Sequence, residues 1–142
     1  ERLRHRAEVL GAKMQALILR MLVVDDSDIV RRLICQILQT QPDIEIVCEA
    51  SDGEDAIRKV RVHRPDVVLM DITMPVMNGF DTTRRIRHEF PLTLVLVVSQ
   101  YDSAPFMREA IAAGASGYVV KDNASTELIP ALRKTVSEHM PK

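Results

Sequence analysis

Val67-Val68-Leu69-Met70-Asp71-Ile72-Thr73-Met74-Pro75 is an apolar, β-branched run that stops at a carboxylate. Pro75 and then Asn78-Gly79 turn the chain at once. A buried strand that ends in Asp sets that Asp at the rim of a sheet, half in water and half against the core. Leu22-Val23-Val24-Asp25-Asp26-Ser27 repeats the pattern upstream, and two further strand-like runs end in Ser99 and Lys121. Fold and function both turn on how these four strand ends meet.

Outward from that stretch, strand and helix patterns alternate. Ile18–Val24 is the first expected strand. Ser27 or Asp28 caps a helix whose apolar face carries Ile29, Val30, Leu33, Ile34, Ile37 and Leu38, broken by Gln41-Pro42-Asp43. Ile44–Cys48 is a second strand. Ser51 and Glu54 have capping-box spacing for a helix that runs to about His63 and stops at Pro65. Asp66–Met70 is the third strand. Gly79–Phe90 is a helix with Phe80, Thr83 and Ile86 inward and Arg84, Arg85 and Arg87 on a solvated face. Leu92–Val98 is the fourth strand. Pro105 suits the first turn of a helix that carries Phe106, Ala110, Ile111 and Ala113 and ends at Gly114. Gly117–Val120 is a short fifth strand. Ser125 caps a last helix through Leu128, Leu132 and Val136, which Pro130 should kink or delay. Strict alternation with continuous apolar strands implies a parallel sheet with right-handed crossovers and helices on both faces.

The 142 residues suit one domain, and 46% hydrophobic residues suffice for a core. A net charge of −1 calls for neither nucleic acid nor an acidic membrane. Cys35 and Cys48 lack CxxC spacing and read as reduced core residues of a cytosolic protein. No apolar run is long enough to span a bilayer. The basic residues before Leu17-Ile18-Leu19 lead into a run that Arg20 interrupts, with no cleavage site after it, so a signal peptide is rejected. Leu3, Ala7, Leu10, Met14 and Leu17 follow a helix-seam spacing too short for a coiled coil. Residues 1–17 are therefore an N-terminal extension, frayed or loosely helical, in a chain that starts at Glu1 as if cut or processed.

In open parallel sheets, function gathers at the carboxyl ends of the strands where their order reverses. With the order 2-1-3-4-5, Asp25, Asp26 and Asp71 converge, and Ser99 and Lys121 join them. Two unit charges about 4 Å apart cost roughly 4 kcal/mol at an effective dielectric of about 20. A lysine offsets part of this repulsion, and a divalent cation offsets more. Hard oxygen ligands suit Mg²⁺, and a carboxylate in such a pocket can attack phosphorus to form an acyl phosphate. The bland alternative is that Asp25-Asp26 only caps a helix.

Three stretches together resemble the receiver domain of two-component response regulators: Leu22 to Ser27, Met70 to Gly79, and Ala113-Gly114-Ala115-Ser116-Gly117-Tyr118-Val119-Val120-Lys121-Asp122. The likeness covers about residues 18–138, so the chain divides into the extension over 1–17 and a receiver domain over 18–142. It implies a flavodoxin-like (βα)5 doubly wound parallel sheet, whose order 2-1-3-4-5 is the family's. It implies that Asp71 takes a phosphoryl group from the phosphohistidine of a sensor histidine kinase, and that the chain is not an enzyme with a diffusible substrate. Asp26, Asp71 and the backbone carbonyl of Thr73 would hold Mg²⁺ directly, with Asp25 acting mainly through water, Lys121 would bind the phosphoryl oxygens, and Ser99 and Tyr118 would be the switch pair. A homodimer through the face of the fourth helix, fifth strand and fifth helix, a cytoplasmic location and a regulated output, transcription, also follow. The wording around Tyr101 to Phe106 and Tyr118 to Asn123 is most similar to regulators that carry a LuxR-type DNA-binding domain after the receiver.

The chain departs from the family where Asp122, not Pro, follows Lys121, which puts the cis bond common there in doubt. Tyr101 and Thr73, each two residues beyond a site residue, offer no carboxylate or amide to orient a hydrolytic water, so self-dephosphorylation is expected to be slow. Three other functions compete. A Mg²⁺-dependent aspartyl phosphohydrolase would place a carboxylate at Thr73. A nucleotide- or flavin-binding domain would need glycines in place of Asp25-Asp26-Ser27. A receiver-like scaffold that is never phosphorylated would not need the pocket.

Overall fold

The computed structural model describes residues 2–3, 18–74 and 77–140. Five strands alternate with five helices over these residues: β1 (Leu19–Val24), α1 (Asp28–Gln39), β2 (Ile44–Ala50), α2 (Gly53–His63), β3 (Val67–Met70), α3 (Gly79–Glu89), β4 (Leu94–Ser99), α4 (Ala104–Ala112), β5 (Gly117–Val120) and α5 (Ala124–His139). A 3-10 turn, Lys121–Asn123, joins β5 to α5. All strand pairs are parallel, in the order β2-β1-β3-β4-β5. This is the flavodoxin-like doubly wound sheet that the alternation and the resemblance imply. The seam spacing at Ala7, Leu10, Met14 and Leu17 and the turn at Pro75 lie outside the described residues.

The central strands are apolar but for Arg20 in β1 and Ser99 at the end of β4, as burial of both faces requires. Leu22, Val24, Val68, Met70, Val95 and Val97 form one core with residues of α2, α3 and α4, among them Ile57, Val60, Phe80 and Ile86. Met21, Val23, Val67, Leu69, Leu96 and Val98 form the other with Ile34 and Leu38 of α1 and Leu128 and Leu132 of α5. The two methionines in these central strands, Met21 and Met70, are fully buried.

Edge strand β2 runs two residues further than the apolar pattern predicts, and its pairing with β1 contains a register shift. Met21 pairs with Ile46 but Leu22 pairs with Cys48, leaving Val47 as an extra residue. One inserted residue turns the following side chains to the opposite face. Ile44 and Ile46 accordingly pack with the α1/α5 core, whereas Cys48 and Ala50 pack with the other.

Several expected helix details shift. The buried side of α1 is centred on Ile34, Cys35 and Leu38, with Val30 and Ile37 half-buried; Ile29 and Leu33, at the edge of the apolar arc, are 72% and 54% exposed. Asp52, not Ser51, caps α2 and accepts the Asp55 N–H, while Glu54 reaches Arg85 instead of closing a capping box. Pro91 and Leu92 lie in a turn closed by the Thr93 N–H on the Phe90 carbonyl, so β4 begins at Leu94 and Leu92 is exposed. Ser125 lies within α5, which starts at Ala124, and Thr126 Oγ1 donates to the Asn123 carbonyl at that end. Pro130 sits inside α5 without delaying its start; its ring faces solvent, where the carbonyl deprived of a partner can be hydrated. Arg84 and Arg85 form the solvated ion-pair face as expected. Arg87 instead turns inward and donates to the Pro91 and Thr93 carbonyls, closing the α3–β4 turn.

Candidate functional site

Strand register assembles the site. Val24 pairs with Met70, and one residue further the Asp71 N–H donates to the Val24 carbonyl, so Asp25 and Asp71 end neighbouring strands side by side. Ser99 pairs with Val120, which sets Lys121 one residue past the end of β5. One carboxylate oxygen from each of Asp25, Asp26 and Asp71 lies within 4.8 Å of the other two. Asp25 and Asp71 are 1% and 4% exposed, whereas Asp26 faces solvent.

Lys121 bridges the two buried acids, its Nζ 2.8 Å from Asp25 Oδ2 and 3.0 Å from Asp71 Oδ1. Burial lowers the affinity of this ammonium for its proton, but the pairing with Asp25 and Asp71 outweighs it and holds Lys121 above its ordinary value. Asp71 is pushed up to about 6, first by burial and then by the charges of Asp25 and Asp26, with Lys121 opposing the rise. One ammonium therefore does not neutralise three carboxylates. Asp25 Oδ1 accepts the Ser27 N–H at 2.9 Å, but Oδ2 is buried and, although it touches Lys121 Nζ, takes no aligned hydrogen bond. A buried carboxylate oxygen whose one partner is an ammonium, beside two further hard oxygen donors, fits Mg²⁺.

One side of the pocket is shaped by the loop after β3. Asn78 caps α3 by accepting the Asp81 N–H, and the Gly79 N–H donates to the Ile72 carbonyl at 2.8 Å. A β-carbon on Gly79 would lie 2.0 Å from the Asp71 carbonyl oxygen, so only glycine lets the start of α3 close on the Asp71 backbone. Thr73 is exposed on this loop, and its carbonyl accepts no backbone hydrogen bond from the described residues outside regular helices and strands.

Ser99 is 1% exposed at the end of β4, and its Oγ accepts the Tyr101 N–H at 3.1 Å. The Tyr118 hydroxyl donates to the Tyr101 carbonyl at 2.6 Å; burial raises the Tyr118 phenol above its ordinary value. Tyr101 thus ties both switch candidates through its main chain, a role not read from the sequence. An ST-turn from Ser99 was the available signal, two residues apart. Its ring stacks on Phe106 of α4 at 4.4 Å between centroids, and Phe106 meets Phe80 of α3 at 6.1 Å. The peptide between Lys121 and Asp122 is trans, as no described peptide bond is cis. Among the described residues no helix is long and apolar enough to cross a membrane.

Residues 21–133 match the response regulator receiver domain family. The chain is 36% identical over 115 residues to the transcriptional regulatory protein DegU of Brevibacillus brevis, covering 81% of this chain and 49% of that protein. It thus spans about half the length of the curated relatives it matches. The signal receiver domain of the response regulator NarL from Mycobacterium tuberculosis superposes with a TM-score of 0.80 at 31% identity, over 84% of this chain and 97% of that one. A chain of the CheX-CheY-BeF3-Mg complex from Borrelia burgdorferi superposes with a TM-score of 0.77 at 25% identity, over 90% of this chain and 99% of that one. With parallel strands in the order 2-1-3-4-5 and carboxylates at the ends of the first and third, the chain belongs to the response regulator receiver domain family.

Proposed function

We propose that Asp71 accepts a phosphoryl group from a phosphohistidine of a sensor histidine kinase and that the aspartyl phosphate switches the face around Ser99 and Tyr118. The observation that carries this reading is the convergence of Asp25, Asp26 and Asp71 within 4.8 Å beside Lys121. Asp26, Asp71 and the Thr73 carbonyl would hold Mg²⁺ directly, with Asp25 acting mainly through water. When bound, the cation supplies positive charge against the phosphoryl oxygens during transfer. An Asp71 carboxylate oxygen forms the bond to phosphorus as the phosphorus–nitrogen bond of the donor breaks. The electron pair of that bond returns to the imidazole, which takes its proton from water. Lys121 Nζ, 3.0 Å from Asp71 Oδ1, exchanges a carboxylate for a phosphoryl oxygen. Ser99 then turns its Oγ to the phosphoryl group and releases the Tyr101 N–H, and Tyr118 follows.

The chain acts on itself rather than on a diffusible substrate, because Thr73 stands where an aspartyl phosphohydrolase would carry its acid/base. A LuxR-type DNA-binding domain is the output, transcription the regulated process and the cytoplasm its location. The unit that switches is residues 18–142, with 1–17 as an extension, and self-association uses α4, β5 and α5. Incubation with acetyl phosphate and Mg²⁺ should add one phosphoryl mass to the intact chain. The adduct should be absent with chelator and in Asp71→Asn; an equal adduct in that variant would contradict the proposal. Tyr101→Glu, which brings a water-orienting carboxylate to the pocket, should shorten the adduct's lifetime by roughly tenfold or more. Unchanged decay would remove Tyr101 from the hydrolytic path.

A further inference from the structure

Arg31, in the first turns of α1, reaches back toward the pocket with a side chain only 17% exposed. Its Nη1 donates to the Asp25 carbonyl at 2.7 Å, its Nη2 to Asp28 Oδ1 at 2.6 Å and its Nε to Glu49 Oε1 at 3.1 Å. The flanking carboxylates together outweigh its burial and hold the guanidinium above its ordinary value.

The Asp25 carbonyl is half of the peptide that links Asp25 to Asp26. The other polar groups of Asp25 are also held: its N–H donates to the Ala50 carbonyl at 3.1 Å, and Oδ1 accepts the Ser27 N–H. Asp26 differs. It is exposed, and no donor among the described residues binds its carboxylate. The place of the Asp26 Cα, from which that carboxylate reaches, follows from the peptide plane before it, and Arg31 holds that plane. Mg²⁺ demands near-ideal octahedral geometry, and ligand distances in a working site hold within about 0.2 Å. A ligand with no partner of its own depends on the backbone beneath it.

We propose that Arg31 is a positioning residue of the acidic pocket: by gripping the Asp25 carbonyl from α1, with Asp28 fixing its own orientation, it sets the backbone position from which Asp26 reaches the metal. The proposal rests on the reading of the pocket as a Mg²⁺ site. The plainer role, a staple between α1 and β2, needs only the Glu49 contact and makes a different prediction.

Amide resonances of Asp26 and Ser27 followed during a Mg²⁺ titration, without phosphodonor, separate the two. In Arg31→Met, which keeps an apolar stem and loses every donor, and in Arg31→Ala, the Kd for Mg²⁺ should rise about 10-fold or more. The Asp26 amide of the metal-free protein should also move. Arg31→Lys, whose single ammonium can still reach a carbonyl, should recover part of the affinity. Glu49→Gln should leave the Kd unchanged. A parental Kd in Arg31→Met or Arg31→Ala, or a rise in Glu49→Gln as large as theirs, overturns the proposal. No Mg²⁺-dependent shift in the parent chain would instead overturn the metal reading on which it rests.

Discussion

In Mg²⁺-free buffer at pH 7, Asp71→Asn should melt about 10 °C above the parent chain. The prediction follows from charge. Asp71 is 4% exposed and faces Asp25 and Asp26 with only Lys121 to offset them. Its folded value of about 6 stands well above the value near 3.9 of an unfolded Asp. Between those values the folded chain keeps a proton that the unfolded chain has lost. The stability associated with this proton is fully present below about pH 4 and lost as pH rises through about 6. At pH 7 the ionised group costs the fold about 3 kcal/mol, and an amide of the same shape removes most of that cost. The difference between variant and parent should shrink below about pH 4, where both carry an uncharged side chain. It should also narrow when Mg²⁺ is added, because only the parent keeps the third carboxylate and gains the larger share of ligand stabilisation. Thermal melts at both pH values, with chelator and with Mg²⁺, check each part. A variant that melts below the parent at pH 7 without Mg²⁺ would show that Lys121 already neutralises the pocket.

Gly79→Ala should act in the opposite direction and as strongly. The new β-carbon would lie 2.0 Å from the Asp71 carbonyl oxygen, 2.7 Å from the Ile72 Cα and 2.8 Å from the Asp71 carbonyl carbon. All three are backbone atoms, so no side chain can swing aside. Either α3 lifts away, breaking the Gly79 N–H bond to the Ile72 carbonyl, or the Asp71 backbone moves out of line with Asp25. The expected loss is about 3 kcal/mol, the upper end for overpacking, with a melting point lower by about 10 °C. Phosphoryl uptake by the variant that remains folded at low temperature should fall at least about 10-fold, since a shift near 1 Å in a reacting group has larger effects than that. Unchanged uptake would mean that α3 moves while Asp71 stays in place.

These two positions show what was legible in the sequence. Asp71 stood out because an apolar β-branched run ends there, and the alternation of strands with helices brought its partners Asp25, Ser99 and Lys121 to the same edge. Gly79 was visible only as part of a turn signal; its close approach to Asp71 joins atoms whose contact depends on how α3 docks. The β2 bulge at Val47 was hidden because Ile44, Ile46 and Cys48 share one parity in sequence and take different faces only through the inserted residue. Ile29 and Leu33 were misplaced because α1 carries an apolar arc wider than the surface it covers. Arg87 looked like its exposed neighbours, Arg84 and Arg85, but two carbonyls of the α3–β4 turn draw it inward. Periodicity reports which residue types can be buried. Which of them are buried is decided by partners distant in the chain.

The central claim is that the acyl phosphate forms on Asp71, and its most direct test locates the bond itself. The chain is treated with acetyl phosphate and Mg²⁺ and then with borohydride, which reduces an aspartyl phosphate to homoserine and leaves free carboxylates intact. Peptide mass spectrometry should find homoserine at position 71, with Asp25 and Asp26 unchanged and no conversion when Mg²⁺ is withheld. Homoserine at another aspartate, with Asp71 intact, would contradict the assignment of the phosphoacceptor.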